Sequence, residues 1–119
     1  MASVFPSLSR LREAFAAAGI PQDRVLVFYD DAGGAFAARA WWSAAALGHE
    51  HARVLDGGLP AWEGAGGTLE RGSAPEQASA PPWHPAPSLA PIATLSMVQA
   101  RVEDAGGAGL IDARALPRF

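Results

Sequence analysis

The sequence predicts an α/β fold in which a parallel sheet is flanked by helices. An apolar run, Val25–Tyr29, stops at two adjacent acids, as a buried strand of a parallel sheet does. An alanine-rich stretch with helical spacing follows it, and a second short run, Arg53–Asp56, comes after that stretch. Glycine pairs separate the segments. Strand, helix and strand in this order form a βαβ unit, whose crossover we expect to be right-handed.

A helix should precede the first strand. Apolar residues recur at the spacing of one helical face, at Leu8, Leu11, Phe15 and Ala18. Ser7 is a suitable N-cap, and Gly19 is a suitable residue at which the helix ends. The polar turn after Gly19 then leads into the strand.

The central helix is expected from Phe36 to Leu47, with Phe36, Ala40 and Leu47 on one face. Gly33 and Gly34 allow a tight turn with positive φ before the helix, and Gly48 is suited to its end. The loop 30–35 therefore follows the carboxyl end of a strand, where open α/β sheets place their chemistry.

A third, short helix is predicted after Gly57 and Gly58, from Leu59 to about Glu63, because Pro60 is accepted in a first turn. A cluster of glycines at 64, 66 and 67 should end it. Thr68–Glu70 should then be a brief extended piece.

Residues 72–92 are rich in proline, with Pro75, Pro81, Pro82, Pro85, Pro87 and Pro91 among them. Such a stretch sustains neither a helix nor a central strand, so we interpret it as an extended interdomain linker. Trp83 is the large apolar residue within it and is expected to fix the linker to a domain surface.

Regular structure should resume after the linker. Thr94 or Ser96 can cap a helix that carries Leu95, Val98 and Val102. Leu110 and Ile111 should begin a strand that ends at Asp112. Two strands before the linker and one after it are too few for a covered sheet. We therefore expect the 119 residues to be an internal segment of a larger α/β protein.

Composition excludes several kinds of function. The net charge is −3, so no basic field favours nucleic acid or an anionic membrane. No apolar run reaches the roughly 20 residues of a spanning helix. The N-terminus lacks the features of a secretory signal, which makes a cytoplasmic protein the expectation. The chain has no cysteine, which excludes disulfides, thiolate metal sites and a cysteine nucleophile within these residues.

Two sequence blocks, AARAWW and DGGLPAW, resemble the first domain of two-domain rhodaneses, the thiosulfate and 3-mercaptopyruvate sulfurtransferases. The preceding VFYD and GG also match, and LIDAR with Arg118-Phe119 resembles the start of that family's second domain. The resemblance implies that residues 1–71 are the C-terminal part of a non-catalytic first domain. Residues 72–92 would be the linker, and 93–119 the truncated beginning of the second domain.

In this family the second domain holds a catalytic cysteine in a loop between a strand and a helix. The cysteine takes a sulfane sulfur from the donor as a persulfide and passes it to a thiol or to cyanide. Backbone N–H groups at a helix N-terminus lower the pKa of such a thiol. The resemblance places Asp30 where the cysteine would be in the first domain, so Asp30 is not expected to be catalytic.

Arg118 matches an arginine that, in the family, binds the anionic group of the sulfur donor. A guanidinium suits that role because it is permanently charged and donates a fork of hydrogen bonds. On sequence grounds alone, an arginine near a chain end is most often a solvated surface charge, and only the family resemblance favours donor binding.

Other candidate sites have simpler explanations. Asp30 and Asp31 are adjacent, whereas the phosphatase pattern separates two aspartates by one residue. The glycine pair at 33–34 lacks the spacing and the lysine of a phosphate loop. His49 and His51 have no third ligand of clear spacing, so solvated or capping roles are expected for them and for His84. The tryptophans at 41, 42 and 62 are expected to pack in the core and at an interface.

The expected function is therefore transfer of sulfane sulfur from thiosulfate or 3-mercaptopyruvate, with this chain inactive alone because it has no thiol. The alternative is a non-catalytic rhodanese-like binding or regulatory module. We expect no cofactor and no metal. The partners implied are a small anionic sulfur donor and a thiol or cyanide acceptor, without nucleic acid or membrane.

Overall fold

Two short parallel strands and four helices form the secondary structure of the described residues. The computed structural model describes residues 5–73, 78–89, 92–104 and 109–113. In chain order the elements are α1 (Leu8–Ala17), β1 (Leu26–Phe28), α2 (Ala35–Ala46), β2 (Ala52–Val54), α3 (Gly58–Gly64) and α4 (Leu95–Glu103). The order confirms the α/β class and the predicted sequence of helix, strand, helix, strand, helix.

The sheet of the described residues consists of β1 and β2, which pair in parallel. Leu26 lies opposite Ala52, and Phe28 lies opposite Val54. The Leu55 N–H donates to the Phe28 carbonyl at 2.9 Å, which extends the ladder beyond β2. Helix α2 connects the strands and contacts both of them. The predicted βαβ unit is confirmed, and its right-handed crossover stays a prediction.

Helix α1 begins and ends as predicted. The Ser7 hydroxyl accepts a hydrogen bond from the Arg10 N–H at 3.4 Å, and Gly19 follows the helix with φ +70°. Leu11 is buried and belongs to the core cluster with Leu47 and Trp83. Around these three pack partly buried apolar residues, which are Phe5, Leu8, Phe15, Ala16, Ile20 and Leu26. The core therefore lies between α1, the end of α2 and the segment that carries Trp83.

The prediction that Val25–Tyr29 forms a buried strand is wrong for one of its two faces. Val25, Val27 and Tyr29 expose 68%, 55% and 60% of their surface, whereas Leu26 and Phe28 are partly buried. Side chains alternate across a strand, so one face contacts the core and the other is left without a covering layer. That face borders an apolar cleft of about 470 Å³, lined by Val27, Tyr29, Leu55, Leu59, Trp62, Thr68, Leu69 and Glu70.

The predicted face of the central helix is also partly wrong. Leu47 is 2% exposed, as expected, but Phe36 is 70% exposed. The buried residues of α2 are instead Ala37 and those at 43–46, of which all but Ser43 are alanines. Small side chains let the helix axis approach the strands closely, and an alanine-rich sequence gives little hydrophobic contrast between its faces. Large residues were therefore a poor guide to the buried side.

Residues 78–89, which we call the strap, have neither helix nor strand, as their prolines predict. The strap nevertheless follows the surface of the core closely. The Ala80 N–H donates to the Ala16 carbonyl at 2.8 Å, and the Leu89 N–H donates to the Ala45 carbonyl at 2.9 Å. Trp83 is 4% exposed, which confirms that it fixes this segment to the domain.

Helix α4 forms where the sequence predicts it, and Thr94 is its N-cap. The Thr94 hydroxyl accepts from the Met97 N–H at 3.3 Å. No residue of α4 is buried. The strand predicted at Leu110 and Ile111 is wrong, because residues 109–113 have no strand structure. Strands exist through pairing, and the pairing found among the described residues is that of β1 with β2. In the described parts of the chain, no helix is long and apolar enough to cross a membrane.

Candidate functional site

The Asp30 carboxylate is enclosed by backbone N–H groups of the loop that joins β1 to α2. We call residues 30–37 the Asp30 loop. Oδ1 of Asp30 accepts from the Ala32 N–H at 2.9 Å and from the Gly34 N–H at 2.8 Å. Oδ2 accepts from the Ala37 N–H at 2.8 Å. Both carboxylate oxygens are therefore occupied by donors of the same loop.

The loop folds in this way because two consecutive glycines precede the helix. Gly33 and Gly34 have φ of +80° and +91°, a region that other residues rarely adopt. These angles turn the chain so that the N–H groups at the start of α2 converge on Asp30. The positive end of the helix dipole adds to the attraction for a carboxylate. The predicted glycine turn is confirmed.

The electrostatics of the loop favour the ionised form of Asp30. Hydrogen bonds from the backbone of Ala37 and then Gly34 lower the pKa of Asp30 below its ordinary 3.8, against a smaller opposing effect of burial. Each donor stabilises the charged carboxylate more than the neutral acid. At neutral pH the negative charge held by the loop is therefore that of the Asp30 carboxylate.

The N-terminus of α3 fixes Asp30 from the other side. The Leu59 N–H donates to the Asp30 carbonyl at 3.0 Å. Gly58 is buried, and a Cβ at this position would overlap the Asp30 carbonyl oxygen. The second glycine of the DGG block is thus needed for close approach of backbone to backbone. Sequence reasoning placed a turn here but missed this contact, which only the pairing of the strands creates.

The arrangement is a small anion cradle that its own aspartate fills. Converging backbone N–H groups at a helix N-terminus stabilise an anion and would lower the pKa of a thiol held in the same place. A carboxylate has no sulfur and cannot form a persulfide. This geometry favours a structural role for Asp30, which stays a prediction. The neighbouring Asp31 is exposed, so the two acids do not act as a pair.

Arg118, the predicted donor-binding residue, lies outside the described residues. The proposed domain boundaries after residues 71 and 92 likewise stay predictions. Within the described ranges, no group of three His, Asp or Glu side chains lies close enough together to hold a metal ion.

The expectation of a solvated or capping His49 is wrong. His49 is 6% exposed, and its Nε2 has no hydrogen-bond partner. It is buried because Trp83, far along the chain, packs against it with 5.3 Å between ring centroids. His51 and His84 are exposed, as predicted. A buried histidine has no signal of its own in a sequence, since the covering residue is remote.

The expectation that the tryptophans at 41, 42 and 62 pack in the core is wrong, because Trp41 and Trp62 are exposed and Trp42 is only partly buried. Their packing at an interface stays a prediction. Trp42 meets Phe5 in a perpendicular arrangement at 4.6 Å between ring centroids. The Trp41 indole N–H donates to the Ala52 carbonyl, and the Trp62 indole N–H donates to the Thr68 carbonyl. Trp62 is 46% exposed and borders the apolar cleft. Each indole N–H of Trp41 and Trp62 thus stabilises a neighbouring turn or strand.

Comparison with known proteins agrees with the resemblance that the sequence blocks carry. The family described as "Rhodanese-like domain" matches residues 3–65. The chain is 41% identical over 115 residues to "Putative thiosulfate sulfurtransferase SseB" of Mycobacterium tuberculosis. It is equally identical over the same length to "Probable 3-mercaptopyruvate sulfurtransferase" of Pseudomonas aeruginosa. Both matches cover 96% of this chain.

A shorter match reaches a plant protein. Over 69 residues the chain is 44% identical to "Thiosulfate/3-mercaptopyruvate sulfurtransferase 1, mitochondrial" of Arabidopsis thaliana. This match covers 55% of this chain and 18% of the relative. The chain spans 39% of the length of the two bacterial relatives. No solved structure matches it significantly. Because the family match extends over more than half of its residues, the chain belongs to the rhodanese-like domain family.

Proposed function

We propose that this chain serves sulfur transfer as a non-catalytic, rhodanese-like part of a thiosulfate or 3-mercaptopyruvate sulfurtransferase. The observation that carries the proposal is the Asp30 loop, which has the anion-holding geometry suited to a reactive sulfur but is filled by a carboxylate. The names of the bacterial relatives support the reaction class. Sulfur chemistry then needs a cysteine outside these 119 residues.

In the proposed reaction a cysteine thiolate attacks the outer sulfur of thiosulfate. The sulfur–sulfur bond of the donor breaks, sulfite leaves with the bonding electrons, and a persulfide remains on the cysteine. A thiol or cyanide then takes that sulfur and regenerates the thiolate. No step of this sequence uses a side chain of the Asp30 loop, whose role here is to hold the backbone of β1, α2 and α3 together.

The donor's charge requires a cation, for which Arg118 stays our candidate. Its guanidinium would bind the sulfonate-like end of thiosulfate or the carboxylate of mercaptopyruvate. We also keep the cytoplasm as the proposed location. In the complete gene product, Arg118→Gln should raise KM for the donor far more than it lowers kcat, whereas Arg101→Gln, on exposed α4, should leave both unchanged. Equal kinetics of the two variants would remove Arg118 from the site.

The first experiment compares the complete gene product with the 119-residue chain in transfer of sulfur from thiosulfate to cyanide. We expect activity of the complete product and background rates for the chain alone. Transfer by the chain alone would contradict a thiol-dependent mechanism. An inactive complete product that folds would favour the alternative, a binding or regulatory module.

A second experiment tests whether the loop is built for a reactive sulfur. Asp30→Cys puts a thiol among the N–H groups of Ala32, Gly34 and Ala37, and Asp31→Cys puts one on the exposed neighbour. We expect the thiol at position 30 to have a pKa clearly below the ordinary value of about 8.5, and to react faster with iodoacetamide near neutral pH. Equal pKa values for the two thiols would show that the loop does not stabilise an anion.

A further inference from the structure

His49 is a buried titratable side chain that the proposed function does not use. It follows the last turn of α2, and its backbone N–H donates a hydrogen bond to the Ala44 carbonyl at 3.0 Å. The residue is 6% exposed, and Nε2 has no hydrogen-bond partner. An unsatisfied nitrogen can remain buried as the bare acceptor of a neutral imidazole, whereas the N–H of an imidazolium needs an acceptor.

The strap is what covers His49. The Trp83 ring lies perpendicular to the imidazole, with 5.3 Å between centroids, and packs against Phe15 of α1 at 4.9 Å. The Trp83 indole N–H donates to the Ile20 carbonyl at 2.7 Å. Without the strap, the imidazole would face solvent on this side. Burial of His49 is therefore linked to attachment of the strap.

Two further attachments of the strap, both within the described residues, are made by uncharged groups. Gln22 makes two hydrogen bonds to the backbone of His84, at 3.0 and 2.7 Å. Gly48 allows the close passage of Ala86 and Pro87, since a Cβ on Gly48 would overlap both. These contacts position the strap independently of pH.

The titratable groups around His49 include one that disfavours its protonation. His51, with its ring centroid 6.3 Å away, opposes a second positive charge. In the strap the titratable residue is His84, which is exposed. From α1, Arg12 and Glu13 border the groove beside Trp83.

Two further charged residues complete the surroundings. The backbone of Arg24 forms a hydrogen bond with the imidazole, which raises the pKa of His49. Glu50 is exposed. Burial is the dominant influence and lowers the pKa of His49 below its ordinary 6.5.

We propose that His49 and Trp83 form a pH-sensitive latch, in which a neutral His49 holds the strap on the core and a protonated His49 releases it. The sign follows from linkage. A histidine whose pKa is lower when the strap is attached binds more protons when the strap is released. Attachment is therefore fully stable above pH 6.5 and weakens as the pH falls below it.

An attraction between imidazolium and the indole ring would work in the opposite direction. Cations are stabilised over the face of a tryptophan ring. Here protonation would also leave the new Nε2–H buried without an acceptor, and removal of a charge from water is the larger effect. The two effects predict opposite pH dependences, which makes the latch testable.

The test is hydrogen exchange of the 119-residue chain by NMR, corrected for the intrinsic exchange rate at each pH. Three strap donors report attachment, namely the Trp83 indole N–H and the amides of Ala80 and Leu89. The Leu55 amide, which donates a hydrogen bond to the Phe28 carbonyl, reports opening of the sheet. Between about pH 7.5 and about pH 5.5 we expect opening of the strap to increase by up to about tenfold, since a released His49 is about ten times more often protonated than neutral at the lower value.

The sheet amide should not follow that change. Strap donors that keep or gain protection at low pH would overturn the latch. Equal loss of protection at Leu55 would also overturn it, because the chain would then unfold as a whole.

Matched variants separate His49 from other effects. His49→Phe keeps a buried ring and should abolish the pH dependence, whereas His51→Phe should retain it. If His49→Phe does not fold, the titration of the wild-type imidazoles decides, and a His49 pKa at or above 6.5 overturns the proposal. Because linkage is reciprocal, Trp83→Phe, which removes the Ile20 hydrogen bond, should raise the pKa of His49 towards its ordinary value. An unchanged pKa in that variant would also contradict the latch.

Discussion

Helices α1 and α4 have similar sequence signals but different surroundings. Both are about two to three turns long, and both begin with a hydroxyl N-cap, Ser7 in one and Thr94 in the other. Helix α1 buries Leu11 in a core with Leu47 and Trp83. Helix α4 buries nothing, and Leu95, its first residue, is 74% exposed. Capping and spacing thus determine whether a helix forms, and a partner surface determines whether it contributes to a core.

The same contrast applies to the strands. Leu26–Phe28 is a strand because Ala52–Val54 pairs with it, with α2 crossing between them. Leu110 and Ile111 have an equally apolar sequence but form no strand, and Ile111 is 94% exposed. A short isolated segment cannot compensate its conformational entropy through hydrogen bonds to itself. Four pairs of substitutions follow, of which two test this contrast between the packed part of the chain and helix α4, and two test contacts within the packed part.

The largest difference is expected between Leu47→Ala and Leu95→Ala. Leu47 is fully buried, so its truncation should lower the free energy of unfolding by about 2–5 kcal/mol. Leu95 is exposed, and its truncation should change that free energy by less than about 0.5 kcal/mol. Urea denaturation followed by circular dichroism measures both. Equal losses would mean that α4 packs on the core after all.

A pair of glycine substitutions in α3 should have the next largest effect. Gly58→Ala places a methyl group against the Asp30 carbonyl at φ +59° and should destabilise the chain by more than about 1 kcal/mol. Gly64→Ala meets open space and should be neutral or stabilise by up to about 1 kcal/mol. Thermal unfolding of the two variants provides the comparison. A tolerated Gly58→Ala would refute the close approach of α3 to the Asp30 loop.

Removal of the two helix caps should separate local from global stability. Ser7→Ala should lower the free energy of global unfolding by about 1 kcal/mol, because α1 is part of the core. Thr94→Ala should reduce the helical Cα chemical shifts of residues 95–103 by NMR and leave global unfolding unchanged. A shared loss of global stability would show that α4 is coupled to the core.

The smallest effect should come from acid titration of the Asp30 loop. Because backbone donors lower the pKa of Asp30, its contribution is present above pH 3.8 and is lost as the pH falls below that value. Asp30→Asn should remove this part of the acid dependence, and Asp31→Asn should retain it. Unfolding free energies across the acid range measure the difference. Identical profiles for the two variants would argue against a stabilising carboxylate in the loop.

Local signals predicted much of the fold. The N-cap at Ser7, the glycine turn at 33–34 and the helix end at Gly48 depend on neighbours within a few residues, and all three are found. The parallel pairing followed from the short apolar runs on either side of an alanine-rich helix. The buried face of α2 did not follow, because alanines carry too little contrast to reveal which side approaches the sheet.

The candidate site was predictable in position but not in detail. Sequence reasoning placed Asp30 at the strand end and expected it to be structural. It gave no indication that Ala32, Gly34 and Ala37 all donate to its carboxylate, or that Gly58 is needed against its carbonyl. These contacts depend on the angle at which two helices leave the sheet, which is a property of packing.

The sequence by itself determined the chemistry that this chain lacks and the family to which it belongs. Without a cysteine the 119 residues have no thiol, and two blocks, AARAWW and DGGLPAW, were enough to indicate the rhodanese-like family. Only the tertiary structure decided that His49 is buried and that the strap is attached. Trp83 reaches Ile20 across 63 positions of sequence. Burial is decided by such remote contacts, which no local pattern records.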